Sequence, residues 1–341
     1  MTTSRLIDRM PVVHQLRQSV GLQRGMLVAG LVLTGIFVFC AIFAPLIAPY
    51  GYAQLDGPGG NFGAQQPPSA AHLLGTTVGG YDVLSRVIWG AQTALYVVIV
   101  AIALSVFIGI LLGLVSGYLG GWVDRTLVVV ADAIYAFPTL LLAIVVAIAI
   151  SGGQSGLWPG ILAAAASITV VFIPQYFRVV RAEVVRIKAE VVRIKVEAFV
   201  ESAKVIGAST PRIMFRHVLR NSTRTLPLIV TLNASEAIST LAALGFLGFG
   251  IQPTAAAEWG YDLNKSISDV AAGIWWTAIP PGIAIVLTVL GITLIGESLN
   301  DLADPRLRAR RRAGSAKTAP TPADAVAASE PASREFMGEV E

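Results

Sequence analysis

Six long apolar stretches are the feature that most constrains how this chain can fold. A helix needs roughly 20 mainly apolar residues to cross the hydrocarbon core of a bilayer. The chain of 341 residues is 55% hydrophobic and only 13% charged, and its mean hydropathy of +0.70 is far above that of soluble proteins. We therefore predict an all-α membrane protein with six transmembrane helices, at about residues 26–49, 90–116, 127–150, 157–177, 225–248 and 278–297.

The positions of lysine and arginine predict how these spans are oriented. If the N-terminus is inside, the inner segments are 1–25, 117–126, 178–224 and 298–341, and they hold 23 of the 25 lysines and arginines. Cytoplasmic loops of membrane proteins carry such an excess of cations. Both termini are therefore predicted to be cytoplasmic. The net charge of +4 then reflects topology, and we expect no binding of nucleic acid.

The spans divide the chain into three parts. Residues 1–25 are a cytoplasmic N-terminal segment, and residues 26–308 are the membrane domain, with outer segments at 50–89 and 249–277. Residues 309–341 are rich in alanine, proline, serine and glutamate and contain few large apolar side chains. Such a composition cannot bury enough apolar surface to order the chain, so we predict a disordered cytoplasmic tail.

Four aromatic residues lie in the second outer segment: Trp259, Tyr261, Trp275 and Trp276. Tryptophan and tyrosine are enriched where membrane proteins meet the bilayer surface, so these residues fit an aromatic belt. They also fit a contact surface for an external partner. The two interpretations are compatible.

Three glycines in the second span recur every four residues. Gly109, Gly113 and Gly117 therefore lie on one face of the helix, where the absence of side chains lets another helix approach closely. We predict tight helix packing along this face. The spacing leaves open whether the neighbouring helix belongs to this chain or to a partner subunit.

Three polar residues lie inside predicted spans, and ionisable groups at this depth are candidates for function. Asp132 lies about two turns from the inner face, where it can reach Arg125 or water. Asn233 and Glu236 lie one turn apart near the middle of the fifth span. They can line a substrate route or form hydrogen bonds with a partner helix.

The inner segment 178–224 contains an exact tandem repeat, because residues 182–188 and 189–195 have the same sequence. Seven residues make nearly two helical turns, so the apolar positions of both copies stay on one face. We predict one continuous amphipathic helix that leaves the fourth span. It either lies on the membrane surface or forms a lever that the second copy lengthens by about 10 Å.

A second short helix is predicted in the same inner segment. Residues 197–206 fit a helix that ends at Gly207, and Pro211 fits the first turn of the helix that follows. A short helix bounded by a glycine turn can fit a groove on a partner protein, and Glu201 supplies a charge for a basic group there.

Several kinds of chemistry are excluded by what the sequence contains. It has no glycine-rich phosphate loop, so we expect no nucleotide to bind this chain. No arrangement of a nucleophile with a base suggests an enzyme. His14, His72 and His217 are too scattered to suggest a metal site. We therefore expect no catalytic residues, no metal and no cofactor in this chain.

Several motifs together resemble one family, the permeases of bacterial ABC importers in the dipeptide, oligopeptide and nickel branch. The resemblance covers about residues 25–308 and is to the second of the two permease subunits. It rests on Leu74-Gly-Thr76, Asp82-Val-Leu-Ser-Arg86, the segments 117–124 and 178–183, Ala136-Phe-Pro138, Gly245-Phe-Leu-Gly-Phe-Gly250 and Asp304-Pro-Arg-Leu-Arg308.

The resemblance implies a type I importer fold in which segment 178–224 is an EAA-like coupling loop. Glu201, Ala203 and Gly207 match the coupling motif by position, while Ser202 replaces its second alanine. The implied partners are a second homologous permease, two ATPase domains that bind ATP and Mg²⁺, an extracytoplasmic substrate-binding protein and membrane lipid. The implied location is the bacterial inner membrane.

Peptide is the cargo that the resemblance favours. The same fold importing a nickel chelate, glutathione or another small solute is the nearest alternative. An ion-coupled secondary transporter would instead carry internal repeats of whole spans, and the only repeat found is the heptad.

Overall fold

The computed structural model describes residues 22–151, 156–193 and 226–303. Within these ranges the chain is helical apart from one hairpin of two-residue strands, β1 (Asp56–Gly57) and β2 (Gly60–Asn61). The helices are α1 (Leu22–Ile47), α2 (Val83–Leu119), α3 (Gly121–Tyr135), α4 (Thr139–Ser151), α5 (Leu157–Arg193), α6 (Leu226–Phe246), α7 (Trp259–Lys265), α8 (Ile267–Ala271) and α9 (Ile279–Ala303), with a 3₁₀ turn at Trp275–Thr277.

The prediction of an all-α membrane protein is confirmed. Among the described residues, α1, α2, α5, α6 and α9 are long and apolar enough to cross a membrane, and α3 with α4 form a sixth span if the two are counted together. The contacts that define the fold lie within the compact unit Gly25–Gly296. Residues 22–24 and 297–303 belong to a second unit with the terminal segments.

The third span differs from the prediction, because residues 127–150 are not one helix. α3 and α4 are bent by 99° relative to each other across residues 136–138. Pro138 has no N–H to donate and restricts the residue before it, so a regular helix ends there. Its carbonyl then accepts the N–H of Leu142, 3.0 Å away, which begins α4.

The three glycines of α2 pack against α5 of the same chain. A Cβ atom on Gly109 would lie 2.4 Å from Cβ of Tyr176, and a Cβ on Gly113 would lie 2.8 Å from Cβ of Val180. Gly117 faces Val184 in the same way, at 2.7 Å. The contact residues of α5 therefore also recur every four residues. Any side chain on the glycines would push the two helices apart.

At one end of the helices, residues 48–82 and 247–278 form a surface layer, called the cap below. A buried ion pair joins the cap to α2. Arg86 is 1% exposed, and its Nε lies 2.8 Å from each carboxylate oxygen of Asp262 in α7. Its Nη1 donates to the carbonyl of Tyr52 at 2.9 Å. One guanidinium thus fixes both segments of the cap to the start of α2.

Asp82 begins α2 as its N-cap. One carboxylate oxygen accepts the backbone N–H of Ser85 at 2.8 Å and the Ser85 hydroxyl at 2.7 Å. The other oxygen lies 2.9 Å from Nδ1 of His72, which is 7% exposed. Since an N-cap carboxylate satisfies donors that a helix leaves free, this contact fixes where α2 starts.

Glu258 begins α7 in the same way but in a fully buried site. Its two oxygens accept the N–H groups of Gly260 at 2.8 Å and Tyr261 at 2.7 Å. Gly245 leaves room for this carboxyl, since a Cβ there would lie 1.7 Å from Oε2. Burial raises the pKa of Glu258 to about 8, against the lowering effect of the two N–H groups.

The interpretation of the four aromatic residues as a belt is wrong for Trp259. This ring is 4% exposed, its Nε1 donates to the carbonyl of Val87 at 3.0 Å, and it packs on Phe37 of α1. Trp276 fills the space above Gly75, where a Cβ would lie 2.6 Å from the indole. Trp275 is 50% exposed. The first two rings therefore pack the cap from within.

A substitution of Gly113 tests the close approach of α2 and α5. We expect Gly113→Ala to destabilise the protein by about 1–3 kcal/mol, because the added methyl group overlaps Val180. The melting temperature of the detergent-purified protein should fall by several degrees. The matched control is Gly35→Ala in α1, where a Cβ has no neighbour within 4 Å. Equal melting temperatures for the two variants would contradict the packing.

The raised pKa of Glu258 predicts a pH dependence of stability. Its folded pKa of about 8 exceeds the ordinary value of 4.5, so the native state holds a proton that the unfolded chain releases. The stabilisation is complete below pH 4.5 and is lost as the pH rises to about 8. Thermal melts from pH 5 to 8 should show this fall, and Glu258→Gln should reduce it. A Gln variant as pH-sensitive as the parent protein would refute this explanation.

Candidate functional site

The residues predicted to couple to an ATPase lie outside the described part of the chain. These are Glu201, Ser202, Ala203 and Gly207, and residues 309–341 lie outside it as well. The structure does describe the helix that leads to them. α5 runs without a break from Leu157 to Arg193. The predicted helix therefore forms at least to Arg193, and Val184 of the first heptad copy is buried against α2.

A bidentate ion pair ties this helix to α3. Arg181 donates from Nε to one oxygen of Asp124 at 2.5 Å and from Nη2 to the other at 2.7 Å. The hydroxyl of Ser116 at the end of α2 donates to the same carboxylate. Three helices thus meet at Asp124. Two parallel charge-assisted hydrogen bonds make this arginine pair geometrically specific.

A second ion pair joins the same two helices one turn earlier on α5. Nη2 of Arg178 lies 2.5 Å from Oδ1 of Asp132, and the guanidinium lies 4.3 Å from the ring centroid of Tyr135. The expectation for Asp132 is Arg125 or water, and the structure pairs it with Arg178 and leaves its side chain 58% exposed. Both side chains of the pair are about half exposed, so it adds little stability.

We call these four residues (Asp124, Asp132, Arg178 and Arg181) the clasp. The clasp holds the end of α5 against α3 at the point where the chain enters segment 178–224. Its two ion pairs join α3 to the start of that segment. No local pattern in the chain predicted these pairings, because the partners are 46 and 57 residues apart.

Asn233 and Glu236 are one turn apart on α6, yet their surroundings differ. Asn233 is 1% exposed and its amide lies next to the hydroxyl of Tyr176 on α5. Asn233 Nδ2 and that hydroxyl have no hydrogen-bond partner among the described residues. Glu236 is exposed and lies near Tyr135. Asn233 therefore belongs to the interior of this chain, and Glu236 belongs to its surface.

Glu236, Tyr135, Arg178 and Asp132 form an exposed polar face on otherwise apolar helices. Polar groups at membrane depth almost always face another protein segment or a water-filled cavity. This face is therefore a candidate for the wall of a route for polar cargo. Of the three residues predicted from sequence, the structure places Glu236 and Asp132 on it and keeps Asn233 away.

Sequence reasoning missed the residues that fix the cap. Arg86 and Lys265 are the two cations outside the predicted inner segments, which was a usable signal that each has a special partner. For Arg86 that partner is Asp262. The contact of His72 with Asp82 had no comparable signal, since a lone histidine is found in many settings. Among the described residues, no group of acidic, histidine and cysteine side chains is arranged to hold a metal.

Two protein families match the chain. The family described as the inner membrane component of binding-protein-dependent transport systems matches residues 109–309. The family described as the N-terminal transmembrane domain of oligopeptide transport permease C matches residues 22–68. The two matches together cover α1 and most of the membrane domain.

Curated relatives are similar to the chain along most of its length. A dipeptide transport system permease of Escherichia coli K12 is 42% identical over 283 residues, which are 82% of this chain and 89% of the relative. A dipeptide permease of Alkalihalophilus pseudofirmus is 36% identical over 82% of this chain and 86% of its own. A glutathione transport permease of Shigella flexneri is 36% identical over 80% and 84%.

These matches confirm the resemblance that the motifs indicated. They span both the cap and the helices that carry the clasp, so the likeness is not confined to a general apolar pattern. Because the first family model covers more than half of the 341 residues, the chain belongs to the family of inner membrane components of binding-protein-dependent transport systems.

Proposed function

We propose that this chain is one of two membrane-spanning subunits of an ATP-driven importer of dipeptides or oligopeptides. As a member of its family, it is a multi-pass transport subunit of the bacterial inner membrane. The observation that carries the proposal is the 42% identity to a dipeptide permease over 82% of the chain. ATP and Mg²⁺ would bind to separate ATPase subunits, and an extracytoplasmic binding protein would deliver the peptide.

We place the cap on the outer side of the membrane. It contains five acidic residues and one lysine, whereas residues 178–193 at the other end contain five cations. Cations concentrate on the cytoplasmic side of membrane proteins. With this orientation, segment 178–224 faces the ATPase subunits and the cap faces the binding protein. Both termini are then cytoplasmic.

The clasp supports a mechanism by which closure of the ATPase subunits would move helices in the membrane. An ATPase subunit bound to the coupling residues would displace the end of α5. The Arg181–Asp124 ion pair would transmit that displacement to α3. α5 in turn packs against α2 at Gly113 and Gly117. A ligand or motor shifts an equilibrium only if its contacts differ between the two states. We assign that difference to Glu201 and the Gly207 turn.

The second permease would complete the transport route. The exposed face with Glu236, Tyr135 and Arg178 would form one wall of that route, and the homologous subunit would form the other. A peptide carries an ammonium group and a carboxylate group, and this face offers both an acidic and a basic partner. Asn233 would instead hold α6 on α5 next to Tyr176.

Glutathione is the second candidate cargo, because a glutathione permease is 36% identical over 80% of the chain. Glutathione is itself a short peptide, so a route lined for peptides suits both. Competition of labelled dipeptide uptake by unlabelled glutathione separates the two candidates.

The function is tested by isolating the complex from the native membrane through a tag on this chain. We expect a second permease and an ATPase to copurify and the reconstituted complex to take up labelled dipeptide only with ATP and binding protein. Glu201→Ala combined with Gly207→Pro should abolish uptake while ATP hydrolysis continues. The control is Glu197→Ala in the same segment. Uptake without ATP would contradict an ATP-driven importer, and normal uptake by the double variant would contradict the coupling residues.

The clasp is tested by exchanging its charges. Hydrogen bonds between charged groups contribute about 1.5–3 kcal/mol, so Arg181→Gln should lower the uptake rate roughly tenfold. Asp124→Asn should have a similar effect, and the swap of Arg181→Asp with Asp124→Arg should restore part of the rate. Arg186→Gln serves as the control, because Arg186 pairs with Glu183 within α5 itself. If Arg186→Gln and Arg181→Gln reduce uptake equally, the clasp has no special role.

A further inference from the structure

The two segments of the cap line an open cavity of about 280 Å³. One wall is the turn formed by residues 77–81, and the opposite wall is formed by Pro253 with α7 and α8. The turn is held in place by its own hydrogen bonds. The N–H of Thr77 donates to the carbonyl of Tyr81 at 2.8 Å, and the N–H of Tyr81 donates to the Thr77 hydroxyl at 3.1 Å. The cavity is therefore preformed.

Asp269 lines this cavity with a carboxylate that is only half satisfied. The residue is 1% exposed, and its Oδ1 accepts the side-chain N–H of Gln65 at 2.5 Å. Its Oδ2 is buried and has no hydrogen-bond partner among the described residues. A buried carboxylate oxygen without a donor costs considerable free energy. No described residue supplies the missing donor.

Two other charged residues line the cavity. Asp262 is paired with the guanidinium of Arg86. The ammonium of Lys265 lies 5.3 Å from the centroid of the Tyr261 ring, and no ion pair joins it to Asp269 within the described residues. Asp269 Oδ2 is thus the lining carboxylate oxygen for which the described residues supply no donor.

The surface around the cavity suits contact with a protein. Val78 at its edge is 40% exposed, and Ile267 and Val270, which flank Asp269 in the sequence, are 55% and 54% exposed. Exposed apolar side chains around a cavity that holds one buried carboxylate are typical of an interface with a central anchor.

We propose that this cavity, the Asp269 socket, receives one lysine or arginine side chain of a protein that docks on the cap. The volume is just below the roughly 300–1,000 Å³ of small-molecule sites, which fits a single side chain. The ammonium or guanidinium group would donate to Oδ2 in a charge-assisted hydrogen bond. The inference rests on the proposed function for the identity of the docking protein, which is then the extracytoplasmic substrate-binding protein.

The test uses the whole importer in lipid nanodiscs and measures the affinity and dissociation rate of its binding protein by biolayer interferometry. Asp269→Asn removes the charge but keeps an oxygen for Gln65. We expect it to weaken binding at least tenfold, mainly through faster dissociation. The matched control is Asp56→Asn, which removes an equal charge from the exposed hairpin of the same cap and should change affinity less than twofold.

A second variant keeps the test valid if Asp269→Asn does not fold. Val78→Trp places a large ring at the mouth of the socket and leaves the Asp269 carboxylate unchanged. Because Val78 is on the surface, the complex should assemble normally, which its melting temperature checks. We expect Val78→Trp to weaken binding of the binding protein as Asp269→Asn does.

Each of the other outcomes overturns a different statement. Equal weakening by Asp56→Asn and Asp269→Asn would show that only the overall acidity of the cap matters. If the Asp269→Asn and Val78→Trp importers bound the binding protein with unchanged affinity and took up peptide normally, the socket would be refuted and the proposed function would stand. If Asp269→Asn abolished the binding of free dipeptide but left the affinity for the binding protein unchanged, the socket would bind the ammonium group of the cargo instead. If the unaltered importer neither bound a binding protein nor took up peptide, the proposed function itself would be wrong.

Discussion

The close approach of α2 and α5 is the contact on which the rest of the molecule depends. Helices already in a bilayer gain no hydrophobic free energy by packing on one another, since lipid tails are as apolar as their side chains. They associate where their backbones come close enough for dense van der Waals packing. Gly109, Gly113 and Gly117 provide that closeness, and Tyr176, Val180 and Val184 fill it. α4 packs mainly on α5, whereas α3 and α6 contact both α2 and α5.

The contacts between α2 and α5 continue past the apolar part of these two helices. Val184 belongs to the first copy of the heptad repeat, so the segment that leads to the coupling residues begins inside the packed unit. Arg181, three residues earlier, holds Asp124 of α3. The van der Waals contact of Val184 with α2 and the ion pair of Arg181 with α3 therefore lie on adjacent turns of α5. A displacement of this helix end cannot stay local, because two other helices are attached to it.

Local patterns in the sequence predicted the spans and the glycine face, because both depend on residues that are near each other in the chain. The bend at Pro138 was missed, although its cause is local, since a proline inside a long apolar stretch is also compatible with a kinked helix. The pairing of Arg86 with Asp262 could not be predicted from local patterns, because 176 residues separate them in the chain. Trp259 was assigned to the surface because its burial depends on Phe37 of a different helix.

The bend between α3 and α4 also affects how the protein enters the membrane. With 15 and 13 residues, the two helices are about 22 Å and 20 Å long, and the bilayer core is about 30 Å thick. Neither can cross it alone, and their 99° bend prevents them from acting as one straight rod. α4 packs along α5, which is synthesised after it. During biosynthesis this part of the chain is therefore stable in lipid only once α5 has emerged from the ribosome and joined it.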